Sequence, residues 1–153
     1  MPMTSWTHGR VALRRAFRLL DPQVVLVALV VETGLRFSTL PRLTRLLGIR
    51  LAHDGESEQQ EDSGFPSDLP APWIRRRAVA VNRVFRHGPL EGTCIRRALV
   101  LGQRIRRLNP TLMIGVRRDD SGALAAHAWL VVTGIALDPL ATHYETLHGL
   151  RRH

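Results

Sequence analysis

The pattern that most constrains the fold is a helical apolar stripe that leads directly into strand-like segments. Apolar residues recur at steps of four and three from Cys94 to Leu108, which is the spacing of one face of an α-helix. Segments with the character of strands follow at residues 111–117, 125–132 and 135–140, with a polar turn between the first two. These patterns predict an α+β core in which one helix packs on a small antiparallel sheet.

The region upstream reads as a series of helices. Residues 10–20 place basic and apolar side chains at helical spacing, and Asp21 followed by Pro22 is typical of an N-cap with proline at the first helical position. This second helix is predicted to end near Gly34, and a third is predicted to end at Gly48, since glycine suits the C-terminal cap. The expected apolar side of the third helix consists of Leu43, Leu46 and Leu47.

An acidic segment divides the chain. Residues 53–72 hold six of the 13 carboxylates and three prolines but almost no large apolar side chain, which is the composition of a linker or long loop. We therefore predict an N-terminal helical region over residues 1–52, a linker over residues 53–72, and a core over residues 73–153. The core is expected to begin with a helix that ends at Gly88.

Composition favours a protein of the cytoplasm. The single cysteine, Cys94, excludes an intramolecular disulfide framework, and the N-terminus has no secretory signal. The most apolar run, residues 24–31, has about half of the roughly 17 to 25 residues that a spanning helix requires. We expect no transmembrane segment, and burial of this run is favoured over contact with a membrane.

The charge favours an acidic partner. The formal net charge is +9, and all 22 basic residues are arginine. Nucleic acid, anionic lipid or an acidic polypeptide would each complement this charge. A nucleic-acid-binding module is one alternative, although the sequence shows no interleaved aromatics and no helix-turn-helix or zinc signature. The other histidines have no zinc-like spacing with the cysteine, so we expect no metal and no cofactor.

Two polar residues of the strand segments can be placed on one face. If Thr133 and Gly134 form a two-residue hairpin turn, His127 lies opposite Leu140. Asp138 then projects on the same face as His127, in a diagonal position about 7 to 8 Å away. A three-residue loop with a bulge would instead send Asp138 to the other face.

A cysteine, a histidine and an aspartate in this order suit nucleophilic catalysis. A thiol at a helix N-terminus is favoured as thiolate, and its backbone amide can contribute to an oxyanion hole. Histidine can accept and deliver a proton, while aspartate orients the imidazole. Each residue also has a structural interpretation: Cys94 as a small core hydrophobe, His127 as a histidine satisfied within a sheet, and Asp138 as the end of a strand. Together they favour a Cys94–His127–Asp138 triad.

The segments "GTCIRRALVLGQRIRRLNPTLMIGVRR", "AHAWLVV" and "ALDPL" resemble the transglutaminase-like cysteine protease family that matures lasso peptides. The resemblance runs from about Trp73 to Leu140, and the helical region up to Leu51 is also similar to the helical preface of that family. By resemblance, Cys94 is the nucleophile, His127 the general base and acid, and Asp138 the orienting carboxylate. A departure is a pair of helix residues, Ile95 and Ala98, where relatives often have Leu and Ser.

The resemblance also implies a task and partners. The family removes the leader from a ribosomally synthesised precursor peptide, and a separate ATP-dependent macrolactam cyclase then closes the ring. The chain shows no winged-helix leader-binding domain, so we expect the split form, which acts with a separate leader-binding protein; the cyclase is a further candidate partner, and nucleic acid is not expected. The basic N-terminal helices are the expected docking surface. A nonenzymatic scaffold is the remaining alternative.

Overall fold

The computed structural model describes residues 21–52, 71–88, 90–118 and 122–146. The predicted helix over residues 10–20 and nearly all of the predicted linker lie outside these ranges. The α-helices in the described part of the chain are α1 (Pro22–Phe37), α2 (Leu40–Leu47), α3 (Pro72–His87) and α4 (Cys94–Arg104). The strands there are β1 (Arg50–Leu51), β2 (Thr111–Arg118), β3 (Leu124–Val132), β4 (Ile135–Ala136) and β5 (Glu145–Thr146).

The caps of α1 and α2 follow the predicted residues. The Asp21 carboxylate accepts a hydrogen bond from the Gln23 amide at 2.9 Å, and Pro22 opens α1. Gly48 ends α2 in the left-handed conformation, at φ 70°. The predicted end of α1 near Gly34 is wrong, because the helix continues to Phe37.

The glycine inside α1 is explained by packing. A Cβ at Gly34 would overlap the Leu43 side chain of α2, so glycine permits the two helices to approach closely. The prediction that Leu43 and Leu47 belong to the apolar side of α2 is confirmed, since both are buried. Leu46 is predicted to belong to the same side but is 80% exposed.

Helix α4 is shorter than predicted. It ends at Arg104, and residues Arg106–Leu108 form a 3₁₀ turn. The amide of Ile105 is shared between the carbonyls of Leu101 and Gly102, which is how the last turn of a helix tightens. Pro110 follows and cannot continue a helix because it has no amide hydrogen.

The sheet is centred on β2 and β3. These two strands pair antiparallel from Thr111↔Val131 to Arg118↔Leu124. On the other edge of β2, β1 pairs parallel and β5 pairs antiparallel. The sheet is therefore mixed rather than wholly antiparallel. Strand β4 completes the order β1-β2-β3-β4, and the α+β class is confirmed.

The hairpin between β3 and β4 has the predicted register. Val132 pairs with Ile135, and both residues of the turn have positive φ, 50° at Thr133 and 80° at Gly134, as a type I′ turn requires. The predicted third strand over residues 135–140 is too long, because β4 ends at Ala136. A 3₁₀ helix starts at Pro139, which cannot donate to a sheet ladder.

Helix α4 lies at the centre of the fold. Leu99 and Val100 are fully buried, in a core cluster shared with α1, α3 and β3. The apolar run of α1 is buried on one side only: Val24 and Val31 face the core, while Leu26 is 63% exposed. No helix in the described ranges is long and apolar enough to cross a bilayer. The core thus fixes the orientation of α4, and with it the position of Cys94.

Candidate functional site

Cys94 lies at the N-terminus of the central helix. It is the first residue of α4 and follows Thr93, an N-cap in extended conformation. In the described structure the Thr93 side chain makes no capping hydrogen bond, so it does not cover the first-turn amides that lack intrahelical acceptors. The thiol is free and half-buried. The sulfur of Cys94 is therefore partly accessible and belongs to the residue at the positive end of the helix.

His127 and Asp138 contact each other directly. His127 lies on β3 opposite Gly115, and its Nε2 is 2.9 Å from Oδ2 of Asp138. The other carboxylate oxygen, Oδ1, accepts a hydrogen bond from the Leu140 amide at 2.9 Å. Because both oxygens are engaged, the carboxylate has a fixed orientation toward the imidazole. The expectation that these two side chains share a face of the hairpin is confirmed, and Nδ1 is the ring nitrogen left for another partner.

Two aromatic rings stack with the imidazole of His127. The Tyr144 ring stacks on His127 with centroids 4.9 Å apart and planes inclined by 30°, and the Trp129 ring lies 6.0 Å away in a similar orientation. The guanidinium of Arg117 lies 5.2 Å from the centre of the Tyr144 ring. The His127 side chain is only 13% exposed, so its rotation is restricted by neighbours on several sides.

One cavity brings the three predicted site residues together. Cys94, His127 and Asp138 all line an open cavity of about 340 Å³ between α3, α4, β3 and the segment after β4. Its other polar side chains are Asn82 of α3 and Arg97 of α4, and the rest of the lining is apolar. A thiol, an imidazole and a carboxylate around one cavity form the set that covalent catalysis at a carbonyl requires. Their catalytic roles stay a prediction.

An ion pair fixes the first turn of α4 to α1. Arg96 donates to both carboxylate oxygens of Glu32, at 2.7 and 3.2 Å, and both side chains are about four-fifths buried. The hydrogen bonds and charge of Arg96, with a smaller contribution from Arg36, hold the pKa of Glu32 below its ordinary value of 4.5, although partial burial opposes the shift. The turn that carries Cys94 is therefore attached to the N-terminal helix.

Sequence patterns did not identify all of these neighbours. The alternation of β3 places Trp129 on the face of His127, so that contact could have been inferred. Tyr144 follows the 3₁₀ helix Pro139–His143 and shows no periodic pattern, so its stacking required the tertiary structure. In the ranges described, no cluster of histidine, cysteine, aspartate and glutamate has the arrangement of a metal site.

Comparison with known families gives one result. The profile of the Transglutaminase-like superfamily matches residues 26–148, a range that contains Cys94, His127, Asp138 and the whole sheet. No curated protein and no solved structure matches the chain. The match begins inside α1, which agrees with the shared core of α1 and α4.

Proposed function

Because the chain belongs to the transglutaminase-like superfamily, which includes cysteine proteases, we propose that it is a cysteine peptidase with Cys94 as nucleophile. The observation that carries this proposal is the hydrogen bond between His127 and Asp138 at the rim of the cavity that Cys94 also lines. An imidazole oriented by a carboxylate beside a free thiol has the relations expected of a catalytic group.

The hydrogen bond between His127 and Asp138 supports the following roles for the atoms. The Asp138 carboxylate accepts a hydrogen bond from the Nε2–H of His127, so Nδ1 is unprotonated in the neutral ring and can take the thiol proton. The Cys94 sulfur then attacks the peptide carbonyl, and the first-turn amides of α4 stabilise the oxyanion. The Nδ1 proton passes to the leaving amine as the C–N bond breaks. Water, deprotonated by the same nitrogen, hydrolyses the thioester and restores the thiol.

The proposed substrate is the leader–core junction of a ribosomally synthesised lasso-peptide precursor. The segments around Cys94, His127 and Asp138 support this substrate through their resemblance to lasso-peptide leader peptidases. Cleavage would free an amine that a separate ATP-dependent macrolactam cyclase joins to a side-chain carboxyl. The reaction would take place in the cytoplasm, where such precursors are made.

A separate leader-binding protein is the proposed source of specificity. Binding the leader at a second site makes cleavage effectively intramolecular, with local concentrations that reach about the millimolar range for short tethers. The outer surface of α1 and α2 supports docking there, because it exposes Leu26 and Leu29 as well as Arg42 and Arg45. Two further arginines of the basic N-terminal helices, Arg14 and Arg18, are also proposed to take part in docking and lie outside the described residues.

Mass spectrometry of candidate precursors tests the proposal. The protein should release the leader slowly alone and much faster with the leader-binding partner, whereas Cys94→Ala and His127→Ala should each remain folded and lose cleavage. The double variant should be little worse than either single one, because the members of such a set act as a unit. Wild-type cleavage by Cys94→Ala would contradict the mechanism, and equal rates with and without partner would contradict the docking.

Reaction with iodoacetamide gives a second readout that needs no precursor. Cys94 is the only cysteine of the chain, so alkylation reports on this thiol alone. The proposal expects His127→Ala to react more slowly than wild type, since the imidazole promotes the thiolate. Equal alkylation rates would show that His127 does not act on the sulfur.

A further inference from the structure

A second cavity is bordered by the same two helices, α3 and α4, as the first. The first cavity is lined by Ala78 of α3 and Leu101 of α4. Arg77 of α3 and Gln103 of α4 line a cavity of about 600 Å³ toward the start of α3 and the end of α4. Helices α3 and α4 therefore border both cavities, and Cys94 and the second cavity lie toward opposite ends of α4.

The second cavity is strongly basic. Its lining includes Trp73 and no carboxylate. The guanidinium of Arg77 donates to the carbonyl of Arg104 and lies 5.1 Å from the centre of the Trp73 ring. Four arginines contribute to the lining: Arg77, Arg104, Arg106 and Arg107.

Structural roles account for only part of this charge. Arg104 is paired with Asp21 at 3.3 Å and Gln23 at 2.6 Å, and Arg77 caps the C-terminal end of α4, where a cation is favourable. Arg106 and Arg107 are exposed, and neither guanidinium has an ion pair with any residue that the structure describes. Two free charges therefore face solvent next to an exposed indole.

We propose that this basic cavity is an anion-binding subsite for the peptide substrate, in which Arg106 and Arg107 bind carboxylate side chains beside Trp73. The proposal rests on the cysteine peptidase function and adds a substrate class: peptides with acidic residues at a distance from the scissile bond. Guanidinium groups bind carboxylates through paired N–H donors, and a peptide bound at Cys94 lies about one length of α4 from these arginines.

The length of α4 sets the spacing. Helix α4 contains 11 residues from Cys94 to Arg104, so its two ends are about ten steps of about 1.5 Å apart, or about 15 Å. An extended peptide covers about 3.3 Å per residue, so the acidic residues should lie about five or more positions from the cleaved bond.

Peptide binding to the intact Cys94→Ala protein tests the subsite without turnover. The probes are a synthetic peptide with consecutive glutamates and the same peptide with glutamines. The glutamate peptide should bind more tightly, less so at high salt, and should change the tryptophan emission of the protein but not that of the Trp73→Phe variant. Equal binding of both peptides would overturn the proposal.

A pair of double variants locates the binding. Arg106→Gln/Arg107→Gln should weaken binding of the glutamate peptide about three- to tenfold, as expected for loss of two partly exposed charge pairs. Arg83→Gln/Arg86→Gln removes the same charge from exposed positions of α3 that do not line this cavity, and should change binding less than about twofold. Equal loss in the two variants would show non-specific attraction to a basic protein.

Cleavage separates this proposal from the function on which it rests. Changing distant glutamates of a cleaved peptide to glutamine should lower kcat/KM for wild type but not for Arg106→Gln/Arg107→Gln. If the peptides bind as expected and none is cleaved, the peptidase function fails and the subsite stands. If neither the change of glutamate to glutamine in the peptide nor Arg106→Gln/Arg107→Gln alters kcat/KM, the subsite fails and the peptidase function stands.

Discussion

Replacing Asp138 by asparagine tests whether the carboxylate sets the protonation of His127. An asparagine carbonyl can keep the hydrogen bond from the Leu140 amide, which Oδ1 now accepts at 2.9 Å. The side-chain NH₂ then faces Nε2 of the imidazole, at the position where the carboxylate oxygen of Asp138 accepts a hydrogen bond in the wild-type protein. Since NH₂ only donates, Nε2 must become the acceptor and the ring proton moves to Nδ1. The nitrogen that should receive the thiol proton is then already protonated.

The expected magnitude is large for activity and small for stability. Loss of general base function lowers the rate about 10²- to 10⁴-fold. The fold should be little changed, because asparagine has nearly the same shape, the loop keeps its cap, and a neutral hydrogen bond contributes only about 0.5–1.5 kcal/mol net. Asp138 is also one-third exposed, which further limits the effect on the free energy of unfolding.

The assays are leader cleavage, alkylation of Cys94 and thermal unfolding, each with a matched control. Glu91→Gln removes one negative charge from a residue that is 88% exposed just before α4 and does not contact the imidazole. It should leave all three measurements nearly unchanged. Nitrogen NMR of the labelled imidazole, in the Cys94→Ala background, should place the ring proton on Nε2 when Asp138 is present. In the Asp138→Asn protein it should place the proton on Nδ1. Wild-type cleavage and alkylation by a folded Asp138→Asn protein would refute the reasoning.

Further perturbations probe the supports of the site. Tyr144→Ala should slow cleavage about two- to tenfold through loss of the ring stack, while Tyr144→Phe should retain the wild-type rate. Gly115→Ala should lower the free energy of unfolding by about 1–3 kcal/mol, because its Cβ would lie 2.7 Å from the Trp129 ring; an unchanged melting temperature would contradict this. Glu32→Gln should have a lower melting temperature than wild type at pH values above 4.5, where Glu32 is ionised and paired with Arg96. This difference in melting temperature should disappear as the pH falls through the lowered pKa of Glu32, because protonation of Glu32 removes the ion pair from the wild-type protein as well.

The parts of the fold that the sequence predicts well are those with local signals. A two-residue turn at Thr133 and Gly134 predicts the register of the hairpin, and that register places His127 and Asp138 on one face. Both turn residues adopt positive φ, so the alternative with a bulge does not occur. The helix start at Asp21 is equally predictable, because capping chemistry acts over a few residues.

The parts that local patterns do not predict depend on contacts between distant segments. Strands β1 and β5 have two residues each, which is too short for an alternating pattern, and both form only because β2 offers a free edge. The end of β4 at Ala136 follows from Asp138 acting as a cap for the 3₁₀ helix rather than as a strand residue. The Glu32–Arg96 pair joins residues 64 positions apart, and no local pattern indicates such a pair.

Contacts of α1 restrict how a partner can use the N-terminal helices. The inner face of α1 packs on α4 through buried Val24 and Val31, and Glu32 holds the turn that carries Cys94. Changes at these positions would alter the candidate site itself, so a loss of partner-dependent cleavage there would not indicate docking. The outer face is available, because Leu26 and Leu29 are exposed. Variants that test docking should therefore be made on that face, with cleavage in the absence of partner as the measure of an intact site.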